Sequence, residues 1–587
     1  STAPWPTRMS VAFNSLPNGA DRDDLVQPHA GKNEFCRSDY SDTGGTVVST
    51  GNLNLLNLKK ALGPSFLNAN GVVQCGTPAN PLPLAGCTPF DILGGPSAST
   101  PAALAYVMST GQATYGSTVK SLTADMSGEL FSLPAGPVSA AVGAEHRQLA
   151  GYDRPGQFEQ SGYSTDLAAQ ATVGNYSVKE IYAELAVPVL RDQPLAQMLS
   201  LNLATRHSNY SNFGATTNSK ASFVYKPIKE LMTRGTWAQG FRAPTLSDTF
   251  GGGSQTFDSF LDPCDSVKGD AAGNAATRAN CLAAGLPSTY RQLNQSGAPV
   301  TAATQGLVPF MSGAGNADLK PETAVTKTLG FVYSPASLPG LDFSLDWYKI
   351  VIDNRIKSIS ASDVMNQCYI NGVTSFCNKL TRDPLTGQIN SLHRGNANLG
   401  KQETEGIDFS LNYRFPAMPW GQFSFKSESA YVKSFKVKST ADSGWIDYIG
   451  EFSGNPYYRF RSNMTVDWAR GDWGASFGTR YYSGVKTQCW DIGSDTSPPV
   501  ECSNPVDTWS DGIGFNKTKA MIYNDLTISY NTSWKGKIMV GANNVFNISP
   551  RINYSANSGY SGNSSSASVD PDLPLDRFFW VRYNQAF

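Results

Sequence analysis

Eight of the nine cysteines stand as near neighbours: Cys75 with Cys87, Cys264 with Cys281, Cys368 with Cys377, and Cys489 with Cys502. Thiolates so placed either hold a soft metal or oxidise to local disulfides. No pair has CxxC spacing, and His29, His146, His207 and His393 are scattered, so no metal site is expected. Four local disulfides in an oxidising compartment is the favoured reading, each holding its own loop by roughly 2–4 kcal/mol. Cys36 is left over, either as a free thiol or with a partner further upstream.

Other chemistry is sparse. There is no GKS/T phosphate loop, no GxSxG elbow and no HExxH pair, so neither an enzyme nor a cofactor is expected. Gly251-Gly252-Gly253 lacks a strand-to-helix context and reads as a flexible loop rather than a phosphate cradle. Glu180, Glu184, Arg206, Asp346, Asp408 and Arg414 fall on alternating segments, where charge suits the wall of a water-filled interior better than acid–base catalysis.

The elements that position these residues repeat with period two. Ile181, Ala183, Leu185 and Val187 alternate with Glu180, Tyr182, Glu184 and Ala186; Phe343, Leu345 and Trp347 alternate with Asp342, Ser344, Asp346 and Tyr348. The same holds at Leu199, Leu201 and Leu203, and at Ile407, Phe409, Leu411 and Tyr413. These runs outlast the usual strand of about five or six residues. They predict long strands with one apolar and one polar face.

Connection lengths separate a membrane barrel from a soluble sandwich or propeller. Short turns are predicted at 134–136, 226–229, 415–419, 469–472 and 533–536. Between them lie long, polar, Gly/Ser/Asn-rich connections at 57–116, 150–175, 243–320, 356–401, 436–456, 483–517 and 547–575, with a shorter one at 208–216. Strict alternation puts every long loop at one end, as in outer-membrane barrels with tight periplasmic turns and long extracellular loops. All four cysteine pairs fall in the long class. Tyr333, Trp420, Phe460, Trp473, Tyr481, Trp534, Phe578 and Trp580, near strand ends, suit interfacial girdles.

Composition agrees. Only 16% of residues are charged, 11% are aromatic and 40% hydrophobic, which spreads apolar residues on alternate positions rather than in helices. No stretch approaches the ~20 apolar residues of a membrane helix, so a bilayer-spanning chain must be a closed barrel. The net charge of -1 gives no reason to expect nucleic acid as a partner. The opening Ser1-Thr2-Ala3-Pro4-Trp5 has no basic region or apolar core, the expectation for a processed chain or fragment. Residues 1–40 have no clean alternation and are left unplaced as loop; 41–587 are assigned to an all-β antiparallel transmembrane barrel of about 16 strands.

Three segments carry a family resemblance. Gly240-Phe241-Arg242-Ala243-Pro244, continuing to Leu246, resembles the "GFRAP-L" segment of TonB-dependent outer-membrane receptors; Asp318-Leu319-Lys320-Pro321-Glu322 resembles their "NPDLKPE" segment. Asn544-Val545-Phe546-Asn547, a long loop and a final strand ending in Phe587 are similar to the family's "NLFD" segment and terminal aromatic. The resemblance covers roughly 115–587. It implies a 22-strand barrel around an N-terminal plug. Plug, coupling box and about six strands are then expected upstream of this sequence. It also implies active uptake of a scarce solute, a small molecule, oligosaccharide or peptide, bound by loops and plug and released when the TonB energy-coupling complex remodels the plug. Phe257, Phe260, Tyr290, Gln305 and Phe310 are candidates for solute contact in the longest loop. Phe579, Val581, Tyr583 and Phe587 match an assembly signal read by the barrel-assembly machinery, interrupted by Gln585; a lipid-facing role for Phe587 is the alternative. A passive porin and a barrel-anchored surface binding protein are the rival readings.

Overall fold

A computed structural model describes residues 36–94, 100–306, 310–438, 444–453, 455–487, 517–550, 553–554, 567–568, 573–574 and 576–585. One sheet dominates. Its strands are β1 (Cys36–Leu53), β2 (Met108–Leu133), β3 (Gly136–Arg154), β4 (Thr172–Gln193), β5 (Ala196–Tyr210), β6 (Gly214–Ile228), β7 (Leu231–Arg242) and β8 (Glu322–Tyr333). It continues with β9 (Leu341–Ser358), β10 (Ile389–Arg414), β11 (Gln422–Lys438), β12 (Phe460–Arg470), β13 (Trp473–Tyr482), β14 (Met521–Asn531), β15 (Gly536–Asn543) and β16 (Phe578–Gln585). Each strand pairs antiparallel with the next in sequence. The result is an up-and-down wall of the expected strand number, and no ladder joins β1 to β16 among the described residues. No described helix is long and apolar enough to cross a membrane.

The first strand starts at Cys36, so the tail of the segment left unplaced belongs to the wall. The connections alternate as the sequence requires. Two residues turn β2 into β3 and β12 into β13, where Gly471 takes φ +57°. The opposite ends are joined by 54–107, 155–171, 211–213, 243–321, 359–388, 439–459, 483–520 and 544–577. Four of these are shorter than expected because their strands run on. β2 and β10 each have 26 residues, about 85 Å of chain at ~3.3 Å per residue, which carries them well beyond a hydrocarbon core of about 30 Å.

Register sorts the two faces. Leu329, Trp347 and Ile407 are cross-strand partners, as are Phe331, Leu345 and Phe409. Phe343 packs on Phe331 and Phe409 at centroid distances of 5.5 and 5.1 Å. This apolar side is the outer, lipid-directed face. The other side carries Glu180, Tyr182, Arg206, Arg234, Asp346 and Asp408. The outer face is bordered by aromatics at both ends: Tyr333, Trp473 and Tyr530 towards the short turns, and Trp347, Tyr431, Phe460 and Tyr481 towards the long loops. Phe578 and Trp580 are corrections to the expected girdle: the register Ala542↔Phe579 places them on the inner face, where the Trp580 ring lies over Gly541. Proline is tolerated inside β4 because Pro188 sits at a bulge, where a ladder bond is already lost.

Candidate functional site

The long-loop end of the wall holds everything that the sequence singled out for recognition. Arg242, the last residue of β7, donates from Nε and Nη2 to both oxygens of Glu322, the first of β8, at 2.9 and 3.1 Å. The two motif segments, far apart in sequence, are thus fastened to each other by a bidentate ion pair. Glu322 also accepts from the Ile356 amide at 2.7 Å. Arg242 Nη1 reaches Asp248 at 3.2 Å. Asp248 lies in the helix Leu246–Phe250, closed by a capping box between Thr245 and Asp248. Burial pushes the Asp248 carboxyl up, but the Thr245 amide and hydroxyl and the Arg242 guanidinium outweigh it and hold it below its ordinary value. Pro244 and Leu319 are buried, Lys320 shares paired hydrogen bonds with Asn398, and Asp318 donates its amide to Asn316. Gly240 faces open space, and Phe241 meets the Tyr210 ring edge-on at 5.8 Å. Ala243 and Pro321 complete the two connecting backbones.

The third segment is anchored by the same chemistry. Arg480 holds Asp525 through two bonds of 2.9 and 3.0 Å. Asp525 Oδ1 then accepts from the amide of Asn544, which is fully buried at φ +50°. An asparagine fits there because it tolerates the left-handed region and its side chain bonds the backbone of Ile548 in both directions.

Above β7–β10, the connections 243–321 and 359–388 fold together into one headpiece. Its core includes Phe260, Leu286, Tyr290, Val364, Met365, Tyr369, Phe376 and Leu392. Cys264–Cys281 and Cys368–Cys377 staple it from either loop, with Cα separations of 5.7 and 4.9 Å. Phe310–Ala314 pairs antiparallel with Gly252–Thr256 and parallel with His393–Gly395, clamping the first loop onto β10. At the centre Arg382 donates to both oxygens of Asp262 at 2.7 and 3.1 Å, with the Tyr290 and Tyr369 rings beside it at 5.4 and 4.9 Å. Burial opposes the Arg382 charge, but the Asp262 carboxylate more than offsets it, and the phenol of Tyr290 is pushed far up by burial. A second pair, Asp265 with Arg291, lies alongside. Neither pair is visible in the sequence, since Asp262 and Arg382 stand 120 residues apart and Asp265 and Arg291 26.

The other expected residues are placed as follows. Cys75 and Cys87 are bonded at a Cα separation of 6.1 Å; Cys489, Cys502 and Phe587 lie outside the described residues. Phe260 and Tyr290 are each 4% exposed, so the expectation that they contact a solute is corrected: both are spent on the headpiece core. Phe257 is 46% exposed and Gln305 is exposed, beside the short Ser259–Phe260 and Thr304–Gln305 ladder; the Phe310 backbone pairs with Thr256. Phe579, Val581 and Tyr583 alternate on the outer face of β16. On the inner face, Arg206 bridges Glu145 and Glu180 at 2.8 and 2.7 Å, Lys220 and Asn202 hold Glu184, and Arg234 holds Asp346. Glu145 completes a cluster that the sequence showed only in part.

No group of residues suited to a metal ion occurs among the described residues. No curated protein matches the chain. Among solved structures, it is similar to a variant of the ferric enterobactin receptor PfeA from Pseudomonas aeruginosa in complex with enterobactin, with 13% identity, 94% of this chain and 60% of that one covered, and a TM-score of 0.53. PfeA in complex with BCV-L6 gives 12% identity, 94% and 60% coverage and a TM-score of 0.53. Another variant in complex with enterobactin gives 13% identity, 81% and 60% coverage and 0.50. The chain spans about three fifths of these receptors, and at such identities the likeness is one of fold. The sequence profile described as TonB dependent receptor-like, beta-barrel matches residues 14–545, further upstream than the motifs alone reach. The wall, its alternating connections and its interlocked motifs agree with that match, and the chain belongs to the TonB-dependent receptor-like β-barrel family.

Proposed function

We propose that this chain forms the greater part of the barrel wall of a transporter in a Gram-negative outer membrane, taking up a scarce solute with energy delivered through TonB. The observation that carries the reading is the folded, doubly stapled headpiece standing on the long-loop end of an amphipathic strand wall. A general diffusion pore gains nothing from a rigid outer structure, whereas solute capture gains from preorganised contacts. In this reading the long loops face outside, Phe257 and Gln305 offer solute contacts from the headpiece, and Phe579, Val581, Tyr583 and Phe587 serve barrel assembly. Bilayers do not tolerate open sheet edges, so the edges of β1 and β16 must each be paired; in this reading, following the family resemblance, further strands pair them and a plug that TonB pulls lies inside the wall.

The test is uptake by cells expressing the full-length protein, with labelled ferric siderophores, cobalamin, oligosaccharides and peptides. Saturable uptake of one class, abolished by deleting TonB, supports the reading. TonB-independent flux of many small solutes would replace it with a passive pore. Binding without uptake would replace it with a surface receptor anchored by its barrel.

A further inference from the structure

The inner face of β9–β13 carries two adjacent cross-strand rows. One is Ser344, Ser410, Glu428 and Asn463; the other, nearer the long loops, is Asp346, Asp408, Ala430, Arg461 and Tyr482. Together they line a hollow of about 520 Å³, within the ~300–1,000 Å³ usual for ligand sites. The neighbouring charges close on one another. Arg234 reaches across Gly330, which has no side chain, to bind Asp346 at 2.7 and 2.8 Å, and Arg480 is held by Asp525. Two charges inside the hollow do not. Asp408 and Arg461 are exposed, and neither has an ion-pair or hydrogen-bond partner among the described residues. They stand on either side of Ala430, two strands apart, which is roughly 10 Å at ~4.8 Å per strand. The alanine methyl leaves the space between them open.

Charge decides what this hollow accepts. Asp408 stands directly opposite Asp346, and like charges so placed destabilise a sheet unless donors reach them. An anionic solute would meet Asp408 and Glu428, and a cationic one would meet Arg461. Hydroxyl groups satisfy both ends, because each donates to a carboxylate and accepts from a guanidinium. At the upper rim stands half-buried Tyr482, with the Tyr458 and Tyr523 rings at 5.2 and 6.3 Å. Its ring joins an apolar face to a polar tip, as the C–H face and hydroxyl edge of a sugar require. Tyr482 ends β13, so this rim opens towards the long loops. We propose that the hollow is a binding site for a neutral, polyhydroxylated solute, a short oligosaccharide. Asp408, Arg461 and Asn463 take its hydroxyls, and Tyr482 packs against one sugar ring.

The inference rests on the uptake reading and names its solute class, and the test keeps the two apart. Full-length protein in detergent is titrated by calorimetry with neutral pentasaccharides of glucose, mannose, xylose, galactose and N-acetylglucosamine. Ferric enterobactin serves as the polyanionic comparator, and heat-modifiable gel mobility reports folding. The expected result is saturable binding of one or more pentasaccharides and none of ferric enterobactin. Ala430→Leu fills the hollow without changing a charge and should weaken binding at least tenfold. Asp408→Asn exchanges a charged acceptor for a neutral one and should weaken it about tenfold. That change also relieves the like-charge contact with Asp346, so it decides the matter even where Ala430→Leu fails to fold. Binding of no pentasaccharide, or binding that Asp408→Asn leaves unchanged, overturns this inference alone. Entry of the bound pentasaccharide into cells that lack TonB, at the same rate as with it, overturns the transporter reading and leaves the site standing.

Discussion

Replacing Arg382 by methionine tests whether the headpiece is a separate folded unit. The Asp262 side chain is wholly buried, and Arg382 is 9% exposed. Without the guanidinium, Asp262 keeps only the Cys264 amide at 2.9 Å and the Tyr290 hydroxyl at 3.1 Å. An uncompensated buried charge of this kind costs about 3–5 kcal/mol. At the lower figure, headpiece opening rises more than a hundredfold, which is read directly as faster amide exchange. Hydrogen exchange followed by mass spectrometry should show this in peptides covering 259–300 and 361–392, with β4 peptides unchanged. Arg382→Met combined with Asp262→Leu should recover most of the protection, because it removes the stranded charge as well as its partner. Wild-type exchange in the single variant, or no recovery in the double, would refute the reasoning. Equal loosening of β4 would show that the headpiece does not open independently.

Other perturbations have equally definite outcomes. Cys264→Ser with Cys281→Ser opens a link of 17 residues in sequence, a loss of about 3 kcal/mol, seen as protease cleavage within 264–281 while the strand wall stays intact. Asp248 is held below its ordinary carboxyl value of 3.8, so its contribution is complete above that pH and is lost as pH falls through the lower folded value. Exchange at 243–256 should therefore accelerate only below about pH 4, and Asp248→Asn should remove that pH dependence. Gly395→Ala drives a Cβ into the Ala314 carbonyl oxygen; the parallel ladder between the first loop and β10 must part, loosening 310–314 without affecting β12–β14.

Much of this molecule follows from local rules. Period-two alternation at Ile181 to Val187 and Phe343 to Trp347 specifies strands and their faces, because strand geometry sends successive side chains to opposite sides. Alternating connection lengths specify the two ends, and cysteines close in sequence find each other because short loops are easily closed. The strand number and the three motif segments were legible for these reasons. The strand limits were less so: β10 begins at Ile389, well before its alternation is recognisable, since it is paired there by Leu380–Arg382 and Phe310–Ala314 rather than by lipid. Tertiary structure alone decided which aromatic and charged side chains of the long loops face solvent. Phe257 and Phe260 are three residues apart and equally apolar, yet one is exposed and the other is core, because a second loop more than a hundred residues away folds over Phe260. The same holds for Asp262 and Arg382 and for Arg242 and Glu322. A long-range pair leaves no periodic trace in sequence, since its two members meet only once the intervening chain has folded.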